Sequence, residues 1–447
     1  MQLIEKFHKM ESEESLFELG KEMKVPLWDI VRYSVYIKYY YSNTDRKRLE
    51  TITIHSLSDY LRLINKFFLF IFKLTFQKGS NIVFSCSRYA NQDKKQFDKA
   101  AFSILSFLKG NCMILEPILG KELAYSYLYD LSNVLRRFSK KRILSFKDFN
   151  KIEVALINHL GESRITFDEI NRLLLDFKSD NAFFSFLFQI KSTKKIFIAT
   201  GNPKAHLMAA KTFNVETYLL QHASIEFDEI DYSYPEIITK ANRILFPDYI
   251  LTFGDYWCKG MNVPAKKIIP IGNDFFYNKP NLVVDNTILV ISTIVHGGEL
   301  RKLTKQLASI RRDFKIVFKL HPNEFQYLSE YKIFFEDNSN VNVISDEIDT
   351  NRLISKSILV VLIVSAVLYE ALNQNKKVAI YKRINYKRQN HLLKLKNVYL
   401  FDNEQELIAI LKKKNYKSEV DFYKPTNYDV ISNLFVDEIK NTINAIK

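Results

Sequence analysis

Lys319, His321 and Pro322 close one short apolar run, Ser365 closes another, and Glu370 follows Ser365 at a little over one helical turn. The pair Gly297 and Gly298 stands just ahead of an amphipathic stretch. A cation, an imidazole, a hydroxyl and unhindered backbone N–H groups are what a bound phosphodiester requires. In that arrangement Lys319 and His321 offset phosphate charge, Ser365 donates to it, and the glycines let backbone N–H groups approach closely. Glu370 is placed to accept hydrogen bonds from a sugar's hydroxyl pair. A second set lies earlier. Gln221 and His222 end a strand in QHAS, and Arg88, Asp93 and Asp98 lie in CSRYANQDKKQFD. The run EFDEIDY supplies Glu226, Asp228, Glu229 and Asp231. Arg88 suits bidentate binding of phosphate or carboxylate, Gln221 joins it on the acceptor side, and His222, Asp93, Asp98 or one of the later acids can take a hydroxyl proton.

Such groups act together only if the chain brings them to one edge. Ile316 to Leu320, Val341 to Ile344 and Ile358 to Val364 are too short and too β-branched for helices, and they read as buried parallel strands. Helix-period segments lie between them, so the ligand is expected outside the strands' carboxyl ends, where Asp346 and Glu347 also fall. Ser365 is expected at the N-cap of a helix over 366–373. Further strands are expected at 81–85, 194–200, 217–220, 248–253, 267–273, 287–293 and 397–401, with a helix opening at GDYWCKGM. Residues 1–75 read as helical, with a capped start at Ser12 to Glu18 and helical spacing in Trp28 to Tyr41 and Leu57 to Leu74. Turn residues and a proline over 275–286 mark a boundary. The expected architecture is α/β: two Rossmann-like domains facing across a cleft, with extra N-terminal helices. The first, 1–278, takes the acceptor; the second, 285–425, takes the donor; a helix within 426–447 packs back across the cleft.

FKLHP followed downstream by SAVLYEAL resembles the carboxyl half of bacterial surface-polysaccharide glycosyltransferases of the GT-B fold. The likeness is greatest to the sialyltransferase, polysialyltransferase and capsule-synthesis groups, and glycerophosphotransferases of teichoic-acid type look alike in the same region. It covers roughly residues 195–385. It implies that His321, Pro322 and Ser365 hold a donor nucleotide and its phosphate, and that His222 stands where such enzymes carry Gln-His-Gly. The chain departs from the pattern at Ala366, where a second serine is usual, and at Ala223.

A net charge of +15 spread over the chain calls for an anionic partner or place. No zinc finger, helix-turn-helix or RNA-recognition signature accompanies it, so nucleic acid is not the expected partner. The anionic inner face of the cytoplasmic membrane fits, with peripheral contact and a cytoplasmic location expected. The longest apolar stretches fall short of the roughly 20 residues that a spanning helix needs. The acidic first residues do not read as a secretion signal. Cys86, Cys112 and Cys258 lack pairing or metal spacing. No cofactor or metal is expected, since no Asp-x-Asp pair ends a strand. The resulting expectation is transfer of a sugar from a nucleotide donor to a glycan or lipid-linked glycan in capsule or lipopolysaccharide synthesis. The rivals are a CDP-glycerol-type glycerophosphotransferase, a sugar-nucleotide 2-epimerase and a non-enzymatic basic binding protein.

Overall fold

The computed structural model describes residues 3–40, 72, 74, 80–85, 98–109, 111–115, 142–199, 201, 203–226, 229–236, 244–259, 261–280, 282–345, 348–383 and 386–435, and the backbone of 89–90 and 96–97. Arg88, Asp93, Asp228, Asp346, Glu347 and nearly all of the 57–74 helix lie outside them.

The short β-branched runs form two six-stranded parallel sheets. The first contains β1 (Asn81–Phe84), β4 (Met113–Leu115), β5 (Lys195–Ile198), β6 (Glu216–Leu220), β7 (Tyr249–Thr252) and β8 (Lys267–Pro270), in the order β4-β1-β5-β6-β7-β8. A separate antiparallel pair, β2 (Tyr89–Ala90) and β3 (Gln96–Phe97), follows β1. The second sheet contains β9 (Thr287–Ile291), β10 (Lys315–Lys319), β11 (Val341–Ile344), β12 (Ser357–Leu362), β13 (Lys377–Tyr381) and β14 (Val398–Phe401), in the order β11-β10-β9-β12-β13-β14. By position in the chain that order is 3-2-1-4-5-6, the doubly wound arrangement, with its switch point between β9 and β12. The central strands β9 and β13 are buried along their whole length, as helices on both faces demand.

The amino-terminal helices α1 (Leu3–Glu13) and α2 (Leu27–Tyr40) form a layer over the first sheet. They pack with α4 (Phe146–Leu160) and α5 (Phe167–Lys191), around Phe7, Trp28 and Phe188. The other face carries α3 (Phe102–Leu108) and the chain's return, with Phe435 stacked on Phe107 and Phe197. The chain further forms α6 (Lys204–Thr212), α7 (Asp274–Tyr277), α8 (Gly297–Ile310), α9 (Leu328–Phe334), α10 (Thr350–Lys356) and α11 (Val367–Asn373). After α12 (Glu404–Leu411) the chain crosses back to the first sheet: Lys424 N donates to Phe253 O, Asn273 N to Lys424 O and Asn427 N to Ile271 O. Gly272 meets this return with φ +72°, and a Cβ there would stand 2.0 Å from Pro425 O.

The carboxyl tips of the two sheets face each other. Tyr369 in α11 donates to the buried Glu226 carboxylate beyond β6 at 2.7 Å, and its ring lies edge-on to Trp257 beyond β7 at 4.8 Å. Arg388 meets Glu229 at 3.1 Å, and Asn373 donates to Phe276 O.

Three local expectations differ. Helix α1 begins well before Ser12, whose hydroxyl donates back to His8 O, so Ser12 is an interior residue and not a cap. The described residues of GDYWCKGM form the 3-10 turn Asp255–Cys258 and no longer helix, with Trp257 turned inward to donate to Phe422 O. Helix α11 starts at Val367 with Ala366 at the N-cap, because the Ser365 hydroxyl accepts from Val367 N.

Candidate functional site

At the switch point the chain leaves β9 through Ser292 to Gly297 and leaves β12 towards Ser365. At a strand spacing of about 4.8 Å, the tips of β10 and β12 flank β9 roughly 10 Å apart. Lys319, His321, Gly297, Gly298 and Ser365 therefore share one edge of the second sheet.

The His-Pro turn is tightly built. His321 is the N-cap of the 3-10 helix Pro322–Tyr327, and Pro322 occupies its first turn, where a missing N–H costs nothing. His321 Nδ1 accepts from Asn323 N at 3.2 Å. An accepting Nδ1 leaves the neutral ring's hydrogen on Nε2, which is thus the donor nitrogen. His321 N in turn donates to Glu324 Oε2 at 3.0 Å. The buried Glu324 also accepts from Ser292 Oγ at 3.0 Å and Tyr331 OH at 2.8 Å, which ties the β10 turn to the β9 turn. Burial and the hydrogen bond to Glu324 raise the Tyr331 hydroxyl's pKa, keeping it a donor. Sequence reasoning passed over Glu324; its place as the fourth residue of a capping box beginning at His321 is the signal that could have found it.

The two glycines differ in surroundings. A Cβ at Gly297 would stand 2.3 Å from Glu324 Oε1, so its missing side chain makes room for the carboxylate; at Gly298 nothing lies within 4 Å. Gly298 is thus the glycine beside which a ligand has space at the start of α8. Lys319 is 9% exposed, and its Nζ lies 5.5 Å from the centre of the Phe325 ring.

Glu370 is buried, and its carboxyl oxygen stands 3.8 Å from Lys99 Nζ of the opposite half. Burial raises its pKa, Lys99 partly offsets this, and Asp349 adds to it. Sequence reasoning passed over Lys99, which lies at an unremarkable spacing and becomes significant only when the halves meet.

On the first sheet Asp98 follows β3. Its Oδ1 accepts from Ala100 N and Ala101 N, and its Oδ2 from Ser85 Oγ, so this carboxylate organises the approach to α3. Gln221 is also buried in structure: Oε1 accepts from Phe253 N and Nε2 donates to Ala223 O, bracing the ends of β6 and β7. His222, the next residue, lines a pocket with Asp231, Lys204 and Phe246. Burial pushes the Asp231 carboxyl up to about 6, with Lys204 opposing and Glu229 reinforcing the shift. Among the described residues no cluster of three His, Cys, Asp or Glu side chains is gathered to hold a metal, and no helix is long and apolar enough to cross a membrane.

No family model matches the chain, and neither does any curated protein. Solved structures do resemble it in chain course. UDP-GlcNAc 2-epimerase from Methanocaldococcus jannaschii, in complex with UDP-GlcNAc and UDP, is 13% identical over 80% of this chain and 99% of its own, with a TM-score of 0.48. S. aureus MnaA with UDP is 11% identical over 81% and 97%, with a TM-score of 0.49. MurG from Acinetobacter baumannii is 8% identical over 81% and 91%, with a TM-score of 0.38. The two-domain α/β assignment stands on the strand order and facing tips of this chain.

Proposed function

We propose that the protein transfers a sugar from a nucleotide-activated donor to a hydroxyl of a bacterial surface glycan, such as a capsule or O-antigen chain. The observation that carries this reading is the sharing of one sheet edge by Lys319, His321, Gly298 and Ser365, at the switch point of a doubly wound sheet whose tips face a second sheet. In this reading the donor's diphosphate lies at the start of α8 beside Gly298, where the helix's unpaired N–H groups favour an anion. Lys319, the Nε2 donor of His321 and the Ser365 hydroxyl complete its surroundings. The acceptor oxygen attacks the anomeric carbon, the carbon–oxygen bond to phosphate breaks, and its electrons leave on the nucleotide. The donors are set before the reaction begins, and one such hydrogen bond to developing charge is typically worth about 10²-fold or more in rate. A base on the first-sheet side receives the hydroxyl proton. The reading assigns no step to a metal or cofactor. The net charge of +15 suits peripheral contact with an anionic membrane surface, where lipid-linked acceptors reside.

Calorimetry with CMP-, CDP-, UDP- and GDP-sugars tests the reading. One class binds, and His321→Ala weakens that binding at least tenfold without loss of fold. Absence of binding across the panel, or unchanged affinity in His321→Ala, refutes it. Conversion of UDP-GlcNAc to ManNAc would instead identify an epimerase. Transfer of glycerol phosphate from CDP-glycerol would identify a glycerophosphotransferase.

A further inference from the structure

A second concave surface opens beyond the tips of β5 and β6, between the start of α6, the turn Ile230–Tyr232 and the segment 245–247. His222 and Asp231 stand in its wall, and Leu207, Leu219 and Phe246 give it an apolar side. Lys204 also lines it, but its ammonium is engaged by Asp29 at 2.8 Å, Tyr234 OH at 3.0 Å and Leu245 O at 2.9 Å.

The turn bearing Asp231 is gripped from beneath by one guanidinium. Arg32 donates to Ile230 O and Ser233 O, the carbonyls that bracket Asp231 and Tyr232, and forms a bidentate pair with Glu11. Arg32 is 2% exposed and Glu11 is fully buried. His8 Nε2 stands 3.1 Å from Ser233 O. Removing two opposite charges from water costs enough that such a pair adds little net stability. Here the pair holds a backbone turn in register with a pocket.

An apolar and aromatic side facing a carboxylate and an imidazole suits a sugar ring, whose C–H face packs on Phe246 while its hydroxyls meet Asp231 and His222. We propose that this pocket holds the hydroxyl-bearing ring of the acceptor, that Asp231 takes the proton of the attacking hydroxyl, and that Arg32 is its positioning residue. The inference rests on the glycosyl-transfer reading above and names that reaction's base. As the acceptor oxygen bonds to the anomeric carbon, its proton moves to an Asp231 oxygen, and the carbon–oxygen bond to the nucleotide breaks. The groups acting on Asp231 are Lys204 and Arg32, which lower its proton affinity, and Glu229 and Asp29, which raise it; His222 lines the same pocket, and His8 stands at Ser233 O of the same turn. Burial dominates and places the titration near 6, so the carboxylate is ionised at neutral pH and still basic enough to accept a proton.

The test uses the full chain and the tightest-binding nucleotide sugar of the panel. Donor affinity is measured by calorimetry, and nucleotide release is measured with water and with methyl galactoside and methyl glucoside as acceptor probes. Wild-type release rises with pH through a midpoint near 6. Asp231→Asn keeps donor affinity within about twofold and lowers kcat roughly 10²- to 10⁴-fold, the range for a positioned base. Formate restores part of the rate in Asp231→Ala, an effect that a merely structural carboxylate would not show. Arg32→Lys, which keeps the charge but cannot span both carbonyls, lowers kcat and leaves donor affinity intact. A wild-type profile without that midpoint, or wild-type release in Asp231→Asn, overturns the inference and leaves the transfer reading standing. A wild-type protein that binds no donor overturns both.

Discussion

Gly297 and Gly298 are neighbours in sequence, yet adding one methyl group to each has opposite consequences. At Gly297 the new Cβ would lie 2.3 Å from Glu324 Oε1, 2.5 Å from Tyr331 OH and 3.0 Å from Ser292 Oγ. A carbon atom needs about 3.5 Å, so the carboxylate has to retreat by roughly 1 Å. It cannot do so and still accept from Ser292, Tyr331 and His321 N. Overpacking costs about 1–3 kcal/mol, and each lost hydrogen bond to a charged group about 1.5–3 kcal/mol. With one bond lost, Gly297→Ala is expected to cost about 2.5–6 kcal/mol, a large share of the roughly 5–15 kcal/mol that holds a typical protein folded. At Gly298 nothing lies within 4 Å of the added carbon, and alanine is the better helix former by up to about 1 kcal/mol. Gly298→Ala is therefore expected to be neutral or slightly stabilising. Urea unfolding of both variants supplies the comparison, with nucleotide-sugar affinity measured on each. Gly297→Ala should also weaken donor binding, since displaced Glu324 releases the His321 turn. Equal stability of the two variants would refute the account, as would a Gly297→Ala protein as stable as wild type.

Burial lowers the His206 pKa to about 3, with the ring stacked on Phe184 and edge-on to Phe84. Between about 3 and the ordinary 6.5 the unfolded chain binds a proton that the folded chain refuses, so stability falls as pH drops through that window, by up to roughly 1.4 kcal/mol per pH unit. Replacing the ring by His206→Leu should flatten that part of the acid-unfolding curve, and an unchanged slope would contradict the assignment. Tyr369→Phe removes the 2.7 Å hydrogen bond to buried Glu226 and should cost about 1.5–3 kcal/mol in urea unfolding. A loss below about 0.5 kcal/mol would show that the contact between the two halves does not depend on that bond.

Most strands were legible because each is an apolar run, rich in β-branched residues and bounded by polar ones; β4 and the short β2–β3 pair were not among those expected. Val341 to Ile344 and Asn81 to Phe84 fall where the pattern puts them, and the amphipathic α8 begins at Gly297 as expected. Lys319, His321 and Ser365 were legible as strand-tip residues for the same reason. Less visible were groups whose meaning depends on partners far along the chain. Glu324 gains its role only when α9 brings Tyr331, and β9 brings Ser292, to its carboxylate. Asp231 is one acid in a run of several until Arg32 and Lys204, both distant in sequence, fix its turn and surroundings.

Local periodicity, strand chemistry and the His-Pro turn are nearest-neighbour properties, and the sequence by itself determined them: short parallel strands, helices between them, and Lys319, His321 and Ser365 at strand ends. Only the tertiary structure decided which strand lies beside which, that Lys99 meets Glu370 and Tyr369 meets Glu226, and which carboxylate has its proton affinity raised. Those outcomes depend on burial and on separations between residues far apart in the chain, and neither quantity exists until both sheets have formed and their tips have been brought face to face.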